Sequence, residues 1–322
     1  MTMPPDPSPL QTTQSGLDHR LVPMRLWRKA KSLGTWDPAA IDVDEDEQDW
    51  EQLEDRERDL LLRLTAQFEG GEESVVRHLL PLLQLAASSG RIEEELFLTS
   101  YLWEEAKHVE GFDRFLREVV GTTEDLDSYL SDAYHQIILQ ELPAAMGRLR
   151  DDHSPEAVAE AAVTYQMIVE GVLAETGYAA YQTVLSERGV LPGMQALVQK
   201  IQRDESRHVA YGVFLLSRLV AEHGDPLWAV IEERMDALLP LVLSHIQETL
   251  TVYAAPLPFG VTVDQFIETG SAQFEKRLAR IERARTQSLD EVLYGSVGNA
   301  PADAAADRPS ETRPVRPPDD RA

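Results

Sequence analysis

Two segments of the chain repeat one pattern, in which a glutamate is followed three residues later by a histidine. The first segment holds Glu105 and His108, and the second holds Glu205 and His208. Apolar residues recur at intervals of three and four around both pairs, so both segments are predicted helices. The i, i+3 spacing places each pair on one helical face, where it can bind one metal ion or two adjacent ions. One such pair is common as a solvated surface pair, whereas two are much rarer.

Each pair is preceded along the chain by another helical glutamate, Glu72 before the first pair and Glu170 before the second. Glu170 is the one acid in an apolar run, and a buried unpaired carboxylate is costly, so its presence indicates a nearby cation. A glutamate from each of two helices, with Glu-x-x-His from each of two others, is the ferritin-like dinuclear arrangement. We therefore predict an all-α, ferritin-like helical bundle with a dinuclear metal site in its four-helix core. The predicted metal ligands are Glu72, Glu105, His108, Glu170, Glu205 and His208.

The remaining sequence is also patterned as helices, with a tail at either end. Helices are expected at roughly 50–88, 91–118, 124–150, 155–187, 193–222, 226–254 and 262–287. The Gly70-Gly71 pair is a weak point at which the first of these helices is expected to bend or break. Residues 1–20 and 296–322 are rich in proline and small polar residues and are predicted to be disordered, flanking one domain over residues 21–295.

Composition restricts the chemistry of the site. The chain has no cysteine, which excludes disulfides, thiolate metal ligands and cysteine nucleophiles. Four carboxylates balance two divalent ions, and oxygen-rich ligands with two imidazoles suit iron or manganese better than zinc. The spacing of the ligands does not distinguish a di-iron pair from a manganese/iron pair.

Charge and hydropathy restrict location and partners. The formal net charge of −26 disfavours nucleic-acid binding. The chain lacks the apolar run of roughly 18 residues that a transmembrane helix needs, so no membrane span is expected. The N-terminus does not resemble a secretory signal, and we therefore expect a cytoplasmic protein.

The ligand residues, in this order, resemble the small-subunit superfamily of ribonucleotide reductase. The segment Trp36-Asp37-Pro38 looks like the one that precedes its first ligand helix, and Asp204-Glu205 followed by His208 looks like its last ligand motif. The resemblance covers roughly residues 24–290.

Two positions point to the manganese/iron branches of that superfamily. Phe112 stands where tyrosyl-radical subunits have a tyrosine, and Glu72 stands where they usually have an aspartate. One of these branches comprises true reductase subunits, and the other comprises ligand-binding oxidases.

The oxidase branch is favoured by two further features. A reductase subunit passes a radical through a C-terminal tyrosine, but this chain has no tyrosine after Tyr294. Trp36, at the position of the family's radical-relay tryptophan, is therefore expected to have a structural role. Val75 and Tyr165 match the valine and tyrosine that ligand-binding oxidases join by an ether bond when the metals react with O2. A manganese/iron reductase small subunit remains the alternative, and an iron-storage protein and a lipid carrier are more distant rivals.

The resemblance implies a role for each site residue. It implies manganese bound by Glu72, His108 and a bridging Glu105, and iron bound by Glu170, Glu205 and His208. It implies two-electron, O2-dependent C–H oxidation in which Val75 is attacked and Tyr165 supplies the ether oxygen. A long-chain fatty acid at the metals and a homodimer are implied in the same way, whereas the physiological substrate is not.

Side chains around the ligands are also assigned by the resemblance or by their position. Asp204 is expected to accept a hydrogen bond from a ligand histidine. Glu104 and Glu110 are expected to be surface charges, and Tyr178, Tyr181 and Tyr211 to lie in the core or beside the ligands.

Overall fold

The computed structural model describes residues 10–122 and 125–295, and this part of the chain is helical without a strand. The α-helices are α1 (Gln11–Gln14), α2 (Val22–Leu33), α3 (Asp44–Gln52), α4 (Asp55–His78), α5 (Leu80–Ser88), α6 (Ile92–Phe115), α7 (Asp132–Gln136), α8 (Leu142–Arg148), α9 (Pro155–Ala162), α10 (Glu175–Arg188), α11 (Pro192–His223), α12 (Asp225–Thr251), α13 (Val263–Arg283) and α14 (Leu289–Tyr294). Three π-helical segments, Leu116–Val120, Ile137–Glu141 and Val163–Ala174, continue or join these helices. The predicted all-α fold is confirmed.

Four long elements form the centre of the bundle and carry the six predicted ligands. Helix α4 packs along α6, and α11 packs along the π-helical segment Val163–Ala174, while α6 and α11 also contact each other. Their buried faces are mainly apolar and carry the ligand residues, as in a ferritin-like bundle.

The π-helical segment Val163–Ala174 lies inside one continuous helix that begins at Pro155 and ends at Arg188. The start is capped as the sequence predicts, because the Ser154 hydroxyl accepts a hydrogen bond from the backbone N–H of Ala157 at 3.3 Å. The wider turn leaves carbonyls without their usual α-helical partners. The Arg277 side chain on α13 donates to one of these, the Gly171 carbonyl oxygen.

The expected bend at Gly70-Gly71 is wrong, and so is the single predicted helix over 50–88. Helix α4 runs through both glycines, and the chain breaks instead at Leu79, before Pro81 in the first turn of α5. A Cβ atom at Gly70 would lie 2.9 Å from the Tyr134 hydroxyl oxygen. Gly70 therefore allows a close approach between helices and does not interrupt α4.

The part of the N-terminal region that packs on the bundle begins earlier in the chain than the sequence predicts. The Gln11 amide and the Asp18 backbone N–H donate to Glu93 Oε1 at 3.0 and 2.9 Å. The prediction of a disordered tail over 1–20 is therefore wrong for residues 10–20, because the buried Glu93 carboxylate gives them a partner. Residues 1–9 and 296–322 lie outside the described residues. Helix α2, which we did not predict, adds buried apolar side chains beside α6.

By length and composition, the continuous helix from Pro155 to Arg188 could cross a membrane. However, 83% of its most apolar window is buried inside the protein, so it serves as a core helix.

Candidate dinuclear metal centre

The six predicted ligands meet at the centre of the bundle, and none is more than 5% exposed. Their donor atoms form two overlapping groups, and within each group the atoms lie within 4.8 Å of one another. Site 1 comprises Glu72, Glu105, His108 and Glu205. Site 2 comprises Glu105, Glu170, Glu205 and His208. Both Glu105 and Glu205 are therefore shared, whereas the sequence analysis expected only Glu105 to bridge.

Several donor atoms of the ligands are buried without a hydrogen-bond partner in the described part of the chain. Five buried atoms have no hydrogen-bond partner among the described residues, namely Glu105 Oε1, Glu105 Oε2, Glu170 Oε2, Glu205 Oε2 and His208 Nδ1. His208 Nδ1 lies 2.8 Å from Glu105 Oε1, but the two are not aligned for a hydrogen bond. Buried polar atoms without partners are costly, and the four ligand carboxylates, with Glu72 included, match the charge of two divalent cations. The residues therefore fit a dinuclear metal centre.

Burial and mutual proximity shift the acid–base behaviour of the cluster. Burial raises the pKa of Glu72 to about 8, with Glu105 and Glu205 adding to the shift and His108 opposing it. Burial likewise raises the pKa of Glu170 well above its ordinary value. Burial by itself would lower the pKa of His208, but the carboxylates of Glu205 and Glu105 hold it well above the ordinary value. Protons therefore balance the cluster without metal, and metal binding must displace them.

A tyrosine orients each of the two unshared glutamates. The Tyr178 hydroxyl donates to Glu72 Oε1, and the Tyr101 hydroxyl donates to Glu170 Oε1. The Tyr101 ring also stacks on His208, with ring centroids 3.6 Å apart. Sequence reasoning missed Tyr101, although its position four residues before Glu105 places it on the ligand face of α6.

Two carboxylates, each next to a shared glutamate in the chain, contact the ligand histidines from behind, that is, at the ring nitrogen Nε2 that faces away from the other ligands. The Asp204 carboxylate lies 3.4 Å from His108 Nε2. The Glu104 carboxylate lies 2.9 Å from His208 Nε2 and is fully buried, so the expectation that Glu104 is a surface charge is wrong. Glu110 is exposed, as expected. The signal for Glu104 was its place in the repeat, since it precedes Glu105 as Asp204 precedes Glu205.

Buried basic groups neutralise this pair of carboxylates. Arg207, itself only 1% exposed, contacts Glu104 Oε1 at 2.6 Å and also pairs with Asp204. Lys107 Nζ donates to Asp204 Oδ2 at 3.0 Å, and the indole N–H of Trp36 donates to the same oxygen at 2.9 Å.

Val75 and Tyr165 are brought together beside the ligands. Val75 is 3% exposed and Tyr165 is fully buried. The Tyr165 hydroxyl donates to the Val75 carbonyl oxygen at 3.3 Å, joining α4 to the π-helical segment. Burial raises the pKa of Tyr165 well above its ordinary value, so its phenol is protonated at neutral pH.

A largely apolar cavity opens onto the ligands. Glu72, Glu105, Glu170 and Glu205 lie on its wall, together with Val75. The other lining residues are mostly apolar side chains, including Leu64, Phe68, Ile138, Val169, Leu173, Ala180, Ile246, Leu250 and Phe266. Such a cavity suits a ligand with a long apolar body.

The chain is similar to known proteins over most of its length. The family model for the ribonucleotide reductase small chain matches residues 24–270. An R2-like ligand-binding oxidase from Sulfolobus acidocaldarius is 35% identical, with a TM-score of 0.81, over 88% of this chain and 98% of that chain. Two variants of an R2-like ligand-binding oxidase, one with a valine and one with a tyrosine replaced, were solved with aerobically reconstituted Mn/Fe cofactor. Each is 35% identical, with a TM-score of 0.80, over 86% of this chain and 99% of that chain.

Proposed function

The chain belongs to the ribonucleotide reductase small-chain family and, within it, to the R2-like ligand-binding oxidases, and from this membership we propose that it binds one manganese and one iron ion and oxidises C–H bonds with O2. The single observation that carries the proposal is the convergence of the six buried ligands into two groups that share two glutamates. The chain is accordingly an oxidoreductase, and its physiological substrate is not identified.

The roles of the ligands follow from their groups. Manganese would be held in site 1 by Glu72 and His108, iron in site 2 by Glu170 and His208, and both by the shared glutamates. When bound, the metal pair supplies the redox chemistry with O2 that no side chain provides alone. The residues around it exclude water and hold the ligands in place, so oxidation is confined to groups inside the cavity.

An ether bond between Val75 and Tyr165 is the first oxidation that the arrangement supports. It would form between the Tyr165 oxygen and a side-chain carbon of Val75, with loss of one hydrogen atom from each residue and O2 as the oxidant. The contact between the two residues supports this product. So does the spacing along the chain, since the valine and tyrosine replaced in the solved oxidase variants are separated by the same 90 residues as Val75 and Tyr165.

A long-chain fatty acid is the ligand that the cavity supports. The apolar walls of the cavity would cover the hydrocarbon chain of the acid. The glutamates on the cavity wall would place the carboxylate of the acid at the metals. The acid would then contribute an oxygen ligand of the kind that iron and manganese accept. A cytoplasmic location and a homodimer remain predictions.

The ether bond is tested by intact-mass measurement and peptide mapping after loading with Mn(II) and Fe(II) in air. We expect loss of two hydrogen atoms, mapped to the peptides that contain Val75 and Tyr165. Tyr165→Phe should bind both metals but show no loss of mass. The control Tyr181→Phe changes another buried tyrosine and should still lose two hydrogen atoms. Full metal loading with an unchanged wild-type mass would rule out the bond.

The fatty acid is tested with palmitic acid as the probe. Binding to the metal-loaded protein should raise the melting temperature, because ligand binding stabilises the folded state. Palmitic acid methyl ester has the same chain without the carboxylate and is the matched control. Equal shifts with acid and ester would show that the carboxylate does not reach the metals.

A further inference from the structure

The two metal sites have matching ligands but unequal surroundings, and we propose that Lys107 weakens His108 as a ligand and so allows manganese to compete with iron for site 1. This inference rests on the proposed Mn/Fe function. It makes Lys107 a specificity-determining residue that acts through Asp204 and does not touch the metals.

The ligands themselves do not distinguish the sites. Each site has one unshared glutamate, one histidine and the same two shared glutamates. Each unshared glutamate also accepts a hydrogen bond from a tyrosine, Glu72 from Tyr178 and Glu170 from Tyr101. Any preference for different metals must therefore arise from groups behind the ligands.

The sequence behind the ligands repeats as well. Acid, glutamate, any residue, base and histidine occur in this order from Glu104 to His108 and from Asp204 to His208. Each leading acid reaches across to the histidine of the other helix, Asp204 to His108 and Glu104 to His208. A symmetric structure would give each of these acids one basic partner.

The structure breaks this symmetry, because both bases contact Asp204. Lys107 and Arg207 both pair with Asp204, whereas Arg207 is the base that also reaches Glu104. Asp204 Oδ2, the oxygen that faces His108 Nε2, receives the Lys107 ammonium at 3.0 Å and the Trp36 indole N–H at 2.9 Å. Its distance from His108 Nε2 is 3.4 Å, compared with 2.9 Å between Glu104 Oε2 and His208 Nε2.

This difference changes the donor strength of the histidines. A carboxylate that accepts a hydrogen bond from a ligand histidine increases the basicity of the ring as a ligand. Asp204 divides its negative charge between His108 and a buried ammonium, so His108 is the weaker ligand and His208 the stronger. Stronger nitrogen donors favour iron over manganese, in accordance with the affinity order of the divalent ions. Site 2 should therefore select iron, while site 1 discriminates less and can accept manganese.

The experiment measures which metal occupies each site. Metal-free wild type and Lys107→Gln are loaded without O2 in equal excesses of Mn(II) and Fe(II). Metal content is measured by mass spectrometry, and each site is identified by anomalous diffraction at the Mn and Fe edges. In Lys107→Gln, the ratio of manganese to iron in site 1 should fall about tenfold, as expected for a change in a group behind a ligand. Lys107→Arg should restore much of the manganese.

Lys200→Gln is the matched control. The Lys200 ammonium lies 5.9 Å from the centre of the Trp36 ring, the same ring that Lys107 contacts at 4.1 Å. Removal of this charge should leave the metal ratio of site 1 unchanged. If the ratio of manganese to iron in site 1 fell equally in Lys200→Gln, the effect would come from any positive charge near Trp36, and the proposal would be overturned.

The outcomes separate this proposal from the proposed function. Two metals per chain with an unchanged ratio in Lys107→Gln would overturn the role of Lys107 while leaving the dinuclear centre intact. Fewer than two metals in wild type would overturn both. If Lys107→Gln does not fold, Trp36→Phe removes the other donor to the same Asp204 oxygen. It should shift the ratio in the same direction, and an unchanged ratio there would count against the proposal.

Discussion

At the scale of single residues, Glu69 is a partly buried carboxylate outside the metal centre. Glu69 Oε2 has no hydrogen-bond partner among the described residues. Burial raises the pKa of Glu69 to about 7, and the carboxylates of Asp113 and Glu73 contribute in the same direction. Because this value lies above the ordinary 4.5, the folded state binds more protons than the unfolded state between these limits. The stability contributed by protonated Glu69 is present below about pH 4.5 and is lost as the pH rises through about 7.

Glu69→Gln should therefore change the pH dependence of stability. At about pH 8 the variant should be more stable than wild type by on the order of 1 kcal/mol, because it buries no charge and solvent screening limits the gain. At about pH 5 the two should be nearly equal. Urea unfolding of the metal-free proteins at both pH values measures this, with exposed Glu110→Gln as the control. If the difference in stability between Glu69→Gln and wild type were the same at both pH values, the raised pKa of Glu69 would be contradicted.

Single residues also show where sequence reasoning ends. Four of the six predicted ligands could be paired from the sequence because a three-residue spacing on one helix fixes which side chains share a face, and Glu72 and Glu170 were added as helical glutamates that precede the two pairs. The role of Glu104 was missed although its place in the repeat indicated it, because its partner His208 lies on another helix, 104 residues away. Whether a helical glutamate is buried depends on the helix packed against it, and one helix does not contain that information.

At the scale of elements, the contact between α11 and the π-helical segment is close. Gly212 follows His208 by one helical turn, and a Cβ atom there would lie 2.2 Å from Gln166 Cβ. The two elements carry Glu205, His208 and Glu170, so their separation sets the width of site 2.

Gly212→Ala should force these elements apart. We expect a loss of about 1–3 kcal/mol in the free energy of unfolding, the usual result of overpacking a core. Gly147→Ala is the control, because its added Cβ would meet only the end of the Arg150 side chain at 3.6 Å. That helical substitution should stabilise by about 0.5–1 kcal/mol. Chemical denaturation measures both, and a neutral Gly212→Ala would show that the bundle relaxes without cost.

The elements differ in how well the sequence predicts them. Helices α6, α11 and α12 begin and end within a few residues of the expected limits, because their apolar periodicity is sustained and their ends carry Gly or Pro signals. The π-helical turns were not predicted, since one extra residue per turn hardly disturbs the apolar pattern over 155–187. The break in the first predicted helix was expected at Gly70-Gly71 but lies at Leu79, because the two glycines were judged more disruptive to a helix than Pro81.

At the scale of the whole molecule, the metal ions should act as structural elements. Five donor atoms of the buried ligands lack a hydrogen-bond partner among the described residues, and bound cations would give them one. Removing the metals with a chelator should lower the melting temperature. For each site, free metal at 100 times its dissociation constant contributes about 2.7 kcal/mol. Calorimetry before and after chelation measures this loss, and reloading should reverse it.

Glu105→Gln is the matched variant for this measurement. It removes a carboxylate shared by both sites, so it should bind less metal and show little change on chelation. A large change in this variant would mean that the chelator acts elsewhere on the protein.

The crossed contacts between α6 and α11 have a consequence for the chain during synthesis. The acid that steadies each histidine belongs to the opposite helix, Asp204 for His108 and Glu104 for His208. A nascent chain that has emerged only as far as α6 carries one Glu-x-x-His pair with nothing behind its imidazole. Tight metal capture, and with it any reaction with oxygen, must wait until α11 has left the ribosome and docked, which spares the unfinished polypeptide from damaging itself.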